Sequence, residues 1–210
     1  MRLTLHPAQS RAATPWKNGK GVTREIAASP QGATLDNFEW RVSIADVGEG
    51  GPFSSFPNVD RRLAVLNGTI RLDIGGETAV TLIPGSEPIA FPGDVPCRAN
   101  IPDGAARDLN VMTRRGRVSS QMILTEADGP FLIPANAGTA ILVALCDLTI
   151  RIGDVSIALN QLDAAQFSQP MPAEVQLRCD RPNAERKGLY IISLFQDRTA
   201  MRGKASKSRQ

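Results

Sequence analysis

The chain has 210 residues, 42% hydrophobic and 21% charged, with a formal net charge of +3. That length admits one large domain or two of about 100 residues, and no stretch approaches the roughly 20 apolar residues of a membrane-spanning helix. A single histidine, His6, excludes any centre built from two or three imidazoles of one chain. The basic excess is local. Residues 196–210 carry Arg198, Arg202, Lys204, Lys207 and Arg209 against Asp197, a net of +4, leaving residues 1–195 at −1. This tail has no large apolar residue after Met201 and reads as a solvated, disordered terminus. Neither nucleic acid nor a membrane is expected as a partner.

In chain order, the N-terminus MRLTLHPAQS lacks an apolar signal core, so the cytoplasm is the expected compartment, and His6 falls in an edge strand. Runs rich in β-branched residues and bounded by Gly, Pro, Asn or Asp predict strands over 40–47, 62–75, 78–84, 109–114, 121–126, 139–145, 148–153 and 190–195. Asn67-Gly68 and Cys146-Asp147 interrupt apolar runs and predict hairpin turns. No long run repeats with helical period, so helices should be few and short. Cys97, Cys146 and Cys179 are far apart and odd in number, and each is expected to pack as a small apolar residue in a reducing compartment.

A faint repeat organises these strands. LDIGGETAVTL (72–82) resembles TIRIGDVSIAL (149–159), and each is followed by a second apolar strand that ends at Phe91 or Phe167. Two similar β-units follow, over 1–116 and 117–195, with 196–210 as the tail. The first unit is similar in spacing to the cupin signature, G-x5-H-x-H-x4-E-x6-G followed by G-x5-P-x-G-x2-H-x3-N. Gly48, Gly68, Gly85, Gly93 and Asn100 occupy frame positions, and Phe91 stands where proline is usual. The ligand positions carry Ser54, Phe56, Arg61 and Pro96, none of which replaces imidazole or carboxylate.

A second resemblance is more specific. WKNGKGVTREI (16–26), FEWRVSIADV (38–47), GPFSSFPNVDR (51–61) and DLNVMTRRG (108–116) resemble blocks of the HutD/Ves family in the family's order, over roughly residues 16–195. The first block departs from the usual W-x-N-G-G-G at Lys20, where a glycine needing positive φ would be missed. The resemblance implies an all-β, cupin-like bicupin (an RmlC-like jelly roll) of two barrel units, without metal or other cofactor. It also implies a chain encoded near histidine-degradation genes that binds a small acidic intermediate, with no established catalytic activity.

The residues supply a candidate site. In WRVSIA, Arg41 and Ser43 alternate with Trp40, Val42 and Ile44, so an apolar outer face would turn Arg41 and Ser43 into the barrel. There a cation needs an anion. In DLNVMTR, Asp108, Asn110, Met112 and Arg114 share one face. Arg41, Arg61 and Arg114 would supply planar donors for a carboxylate, Ser43 and Asn110 neutral hydrogen bonds, and Trp16 or Phe53 an apolar wall. Asn18 and the backbone of the WKNGKG loop would form an anion-binding concavity. The structural alternative pairs Arg41 with Asp46 or Asp108 and Arg61 with Asp60 or Glu39, makes the tryptophans core and reduces the loop to a turn.

The reading that follows is a metal-free binder of a small carboxylate metabolite such as urocanate or formylglutamate, regulatory or protective in role, for which a homodimer is compatible. Two alternatives stand beside it. One is a metal-independent isomerase or hydrolase using Asp46, Asp60 or Asp108 as base, against which carboxylates beside arginines ordinarily have lowered pKa values. The other is a protein-interaction scaffold.

Overall fold

Short β-branched runs broken at Gly, Pro and Asn give strands that must bury one face each, and two stacked sheets per unit is how they do so. The computed structural model describes residues 1–76, 79–126, 129–180 and 188–197. Among them the only helical turn is a 3-10 turn at Ala8–Ser10, and no helix is long and apolar enough to cross a membrane. The described residues divide into two compact units, residues 12–119 with Asp197, and residues 1–11 with 120–196.

The 12–119 unit contains β2 (Ala13–Pro15), β3 (Gly21–Ser29), β4 (Trp40–Val47), β5 (Gly51–Pro52), β6 (Val59–Asn67), β7 (Ile70–Ile74), β8 (Val80–Leu82), β9 (Ile89–Pro92), β10 (Cys97–Asn100) and β11 (Ala106–Arg114). They form a six-stranded sheet in the order β2-β3-β4-β11-β6-β9 and a four-stranded sheet β5-β10-β7-β8. Ala45, Val47, Leu63, Val65 and Phe91 of the first sheet pack with Ile70, Leu72, Leu82 and Ala99 of the second.

The other unit contains β1 (Arg2–His6), β12 (Val118–Glu126, which begins two residues before the division), β13 (Gly129–Phe131), β14 (Thr139–Ala144), β15 (Leu148–Ile152), β16 (Val155–Leu159), β17 (Ala164–Ser168), β18 (Val175–Cys179) and β19 (Gly188–Gln196). Its sheets run β1-β17-β14-β19-β12 and β13-β18-β15-β16. The orders are the same topology twice: β4-β11-β6-β9 matches β12-β19-β14-β17, and β5-β10-β7-β8 matches β13-β18-β15-β16. The sequence repeat is therefore a structural one. LDIGGETAVTL spans β7-β8, TIRIGDVSIAL spans β15-β16, and Phe91 and Phe167 lie in the matching strands β9 and β17. Each unit is a jelly-roll pair of facing sheets rather than a hydrogen-bonded closed barrel.

Three expectations are altered. Residues 1–11, placed by sequence with the first unit, pair with β17 of the other: Leu3 lies opposite Phe167 and His6 opposite Ala164. The Asn67-Gly68 turn exists, with Gly68 at φ +71°, but it is no hairpin, because β6 and β7 belong to different sheets. Cys146-Asp147 likewise carries the chain from β14 in one sheet to β15 in the other. A jelly roll sends some consecutive strands, here β6-β7 and β14-β15, to opposite sheets while others, β7-β8 and β15-β16, pair directly, so a turn signal does not identify the pairing partner. The tail expected over 196–210 lies, beyond Asp197, outside the described residues.

Candidate functional site

Strand β6 reads VDRRLAVLN, and its alternation turns Arg61, Leu63 and Val65 between the sheets while Asp60 faces solvent. Arg61 is thus carried into the core, only 6% exposed. Its guanidinium carbon lies 4.8 Å from the Phe53 ring centroid, 5.1 Å from that of Phe91 and 6.0 Å from that of Phe56. Three aromatic faces give a buried cation partial electrostatic compensation. Gly93 allows the close approach: a Cβ there would meet Val59 O at 2.9 Å, Phe56 O at 3.2 Å and Arg61 Cδ at 3.4 Å. Its backbone also ties the surrounding chain together, donating to Val59 O and accepting from Phe56 N.

Beside β6, β11 turns Asp108 and Asn110 inward. Asn110 is registered opposite Leu63, and Asp108 opposite Val65, next to a register shift at Arg107/Asp108. On its other edge Asn110 faces Ser43 and Asp108 faces Ala45 of β4. Asp108 is fully enclosed. Burial pushes its carboxyl up to about 7, outweighing the attraction of Arg61, and Asp46 pushes the same way. This reverses the expectation that a carboxylate beside arginine has a lowered pKa. Asp46 shows what makes the difference: burial acts upward there too, but hydrogen bonds from Arg107 and Arg24 outweigh it and hold the group below its ordinary value. Burial likewise draws Arg61 below the ordinary arginine value, against Asp108 and Cys97.

Three atoms in this interior have no hydrogen-bond partner among the described residues: Arg61 Nε, Asp108 Oδ1 and Asn110 Oδ1. Buried polar groups are ordinarily paired, and each orphan costs about 1–3 kcal/mol. A donor and two acceptors on adjacent strands, unsatisfied together, form a polar surface suited to a small molecule with both donor and acceptor groups. The repeat supplies an internal comparison. Arg61 pairs with Phe91 as Ala140 pairs with Phe167, and carrying that register across the sheet places Leu189 at the position of Asp108 and Ile191 at that of Asn110. The second unit is thus apolar at all three positions, so fold alone does not demand the polar set.

The cupin metal-ligand positions do not fit a metal. Ser54 and Pro96 are exposed, Phe56 offers no lone pair, and Arg61 is a cation.

The other candidate residues are placed as follows. Ser43 is buried on the same face as Ala45 and Val47, and Arg41 shares that face but is only half-buried. Arg41 Nε donates to Glu25 Oε2 at 2.7 Å, so its partner is neither Asp46 nor Asp108. Arg61 hydrogen-bonds neither Asp60 nor Glu39: Asp60 lies on the opposite, solvent face of β6, and the two carboxylates accept from Arg115 and Arg117. Trp16 stacks over Gly21 and donates from Nε1 to Thr23 Oγ1 at 2.7 Å. With Asn18 and Lys20 it lines a small cleft whose far wall is Phe53, the ring that also covers Arg61. Asn18 Oδ1 accepts from Lys20 N, and Gly19 N donates to Trp16 O, so the WKNGKG loop spends these groups on its own turn. The positive φ of that loop falls on Gly19, +72°, and Lys20 instead pairs with Glu49. The family departure at Lys20 therefore strains nothing.

Arg114 does not join the interior set. It donates to the carbonyls of Asp36, Phe38 and Pro57 and lies 5.1 Å over the Phe38 ring. Its donors are committed to holding the 36–38 and 57 loops. The sequence set omits Phe56, Phe91 and Gly93 as site-forming residues and treats Asp108 only as an alternative base or a partner of Arg41. The cupin spacing singles out Gly93 as a frame position, Phe91 at the usual proline and Phe56 at a ligand position, which is the signal that finds them.

Residues 8–184 match the HutD family. The chain belongs to the HutD family. A relative from Pseudomonas putida, an uncharacterized 21.2 kDa protein in the hutC 3' region, is 37% identical over 144 residues, 68% of this chain and 74% of the relative. The HutD of Pseudomonas fluorescens SBW25 superposes with a TM-score of 0.79 at 27% identity, covering 93% of this chain and 99% of that one. The bacterial pirin YhhW of Escherichia coli, solved with nickel(II), has a TM-score of 0.60 at 10% identity over 93% of this chain and 99% of that one, a likeness of fold alone. The HutD family is associated with the histidine-utilisation operon.

Proposed function

We propose that this HutD-family protein binds a small carboxylate metabolite of histidine degradation between the sheets of its 12–119 unit, in a regulatory or protective role. The observation that carries the reading is Arg61, a buried cation with an unpartnered Nε, beside two unpartnered side-chain oxygens. A ligand carboxylate would accept from Arg61, and Asp108 in its protonated form would donate to the same group. Asn110 Oδ1 would take an N–H of the ligand. Urocanate and formylglutamate each combine a carboxylate with an N–H. Phe53, which borders both Arg61 and the Trp16 cleft, would have to move for access. The test is calorimetric titration with urocanate, formylglutamate and formate, the last because the HutD of P. fluorescens was determined in a formate condition. Binding by one of the two metabolites that is lost in Arg61→Met supports the proposal. No response from any of them at millimolar concentration contradicts it.

A second reading is favoured by one observation: a carboxyl at about 7 suits proton transfer at neutral pH. In that reading Asp108 is the acid-base group of a metal-independent isomerase or hydrolase. Turnover of a bound metabolite that disappears in Asp108→Asn, with binding retained, separates it from pure binding.

A further inference from the structure

Cys146 and Cys179 read from sequence as isolated residues, and the fold of the 120–196 unit brings them together. Cys179 ends β18, where it is registered opposite Leu148 of β15, and Cys146 lies in the turn just before β15. Asp180 N donates to Asp147 O at 3.1 Å, pinning the end of β18 to that turn. The two Sγ atoms are 3.3 Å apart, in thiol contact, and Cys179 Sγ also approaches Asp147 O. We propose that Cys146 and Cys179 form a reversible disulfide site, closed by a peroxide as oxidant, that staples the β14-β15 turn to β18.

The two thiols are unequally placed for this chemistry. Cys146 is 5% exposed and belongs to the apolar core, where burial holds its thiol above the ordinary range. Cys179 is half-buried at a strand end. It is the sulfur a small oxidant reaches, and Cys146 is the resolving partner. In the first step the Cys179 thiolate attacks one peroxide oxygen, the O–O bond breaks, and hydroxide leaves to be protonated to water, with Cys179 left as a sulfenic acid. In the second, the Cys146 sulfur attacks Cys179, the S–O bond breaks, the Cys146 proton leaves with the hydroxyl as water, and the S–S bond forms. Two thiols lose two electrons and two protons, and the peroxide is reduced to two waters. Cys97 belongs to the core of the other unit and serves as the internal control.

The test treats the reduced full-length chain with hydrogen peroxide and follows intact mass, peptide maps and thermal melting. Closure lowers the mass by about 2 Da, reversed by dithiothreitol, and links the peptides bearing Cys146 and Cys179. Closing a loop across the 33-residue separation raises the melting midpoint by roughly 7–15 °C. Cys97→Ser keeps the cross-link, whereas Cys146→Ala replaces it with a sulfenic acid on Cys179 that dimedone traps. Oxygen addition at Cys179 without a cross-link in the unsubstituted chain, or a cross-link to Cys97 or between chains, overturns the proposal. The peptide map of the unsubstituted chain decides even if Cys146→Ala fails to fold.

Discussion

Asp108→Asn tests the electrostatics of the interior directly. The carboxyl is raised from 3.8 to about 7 in the folded chain, chiefly by burial. Below the unfolded pKa both states hold the proton and the group costs nothing. As pH rises, the unfolded chain ionises Asp108 first while the folded chain keeps it protonated, so stability falls by up to about 1.4 kcal/mol per pH unit until the folded pKa is passed. A rise of about three units gives a total of about 4 kcal/mol as an upper figure, fully lost above pH 7. Asparagine, similar in shape and always neutral, removes this loss. Trp16 and Trp40 are the two tryptophans of the chain and both lie in the 12–119 unit, so their fluorescence in urea reports the unfolding of that unit. The expected result is a variant close to the parent near pH 4 and more stable by a few kcal/mol at pH 8. A difference that does not change between pH 4 and pH 8 would refute the claim that Asp108 is held protonated by burial.

Arg114→Ala should leave three carbonyls without their donor and the Phe38 ring uncovered, costing about 1–3 kcal/mol in urea melts while carboxylate affinity stays unchanged. Gly93→Ala drives a Cβ into the backbone oxygens of Val59 and Phe56. It should cost about 1–3 kcal/mol by the same melts and weaken carboxylate binding, because the same backbone supports Arg61. Carboxylate affinity in the parent chain should fall about tenfold per pH unit above 7, as ionised Asp108 comes to repel the ligand, and should become flat with pH in Asp108→Asn. Calorimetric titration between pH 6 and 9 checks this.

Much of this architecture is legible in the residues. Strand positions follow from β-branched runs, and the duplication follows from the match of LDIGG with IRIGD and of Phe91 with Phe167. Pairing is not legible, because Asn67-Gly68 and Cys146-Asp147 look like hairpin turns whether the next strand returns to the same sheet or crosses to the facing one. The N-terminal strand escapes for the same reason: RLTLH alternates correctly but does not say which sheet edge it completes. In the site, period-two alternation is enough to turn Ser43, Arg61 and Asn110 inward. It does not separate Arg61 from Arg114, both of which lie on strands bordering the interior. What separates them is the number of carbonyls within reach, a property of the loops at 36–38 and 57 that no local pattern encodes. The arginines near Asp108 in sequence point to a lowered pKa, but burial dominates because no hydrogen bond from the described residues reaches its Oδ1. The proximity of Cys146 and Cys179 depends on the register of β15 with β18, which no local pattern encodes either.

The central claim rests on Arg61, and the most direct measurement is calorimetric titration of the parent chain and Arg61→Met with urocanate and with formylglutamate at pH 6.5. Replacing a buried, half-partnered cation with an unbranched apolar side chain should leave stability equal or raised. Affinity for the carboxylate should fall about thirtyfold to a few thousandfold, the ordinary cost of truncating one side of a buried charged contact. Equal affinity in a folded Arg61→Met variant would contradict the account.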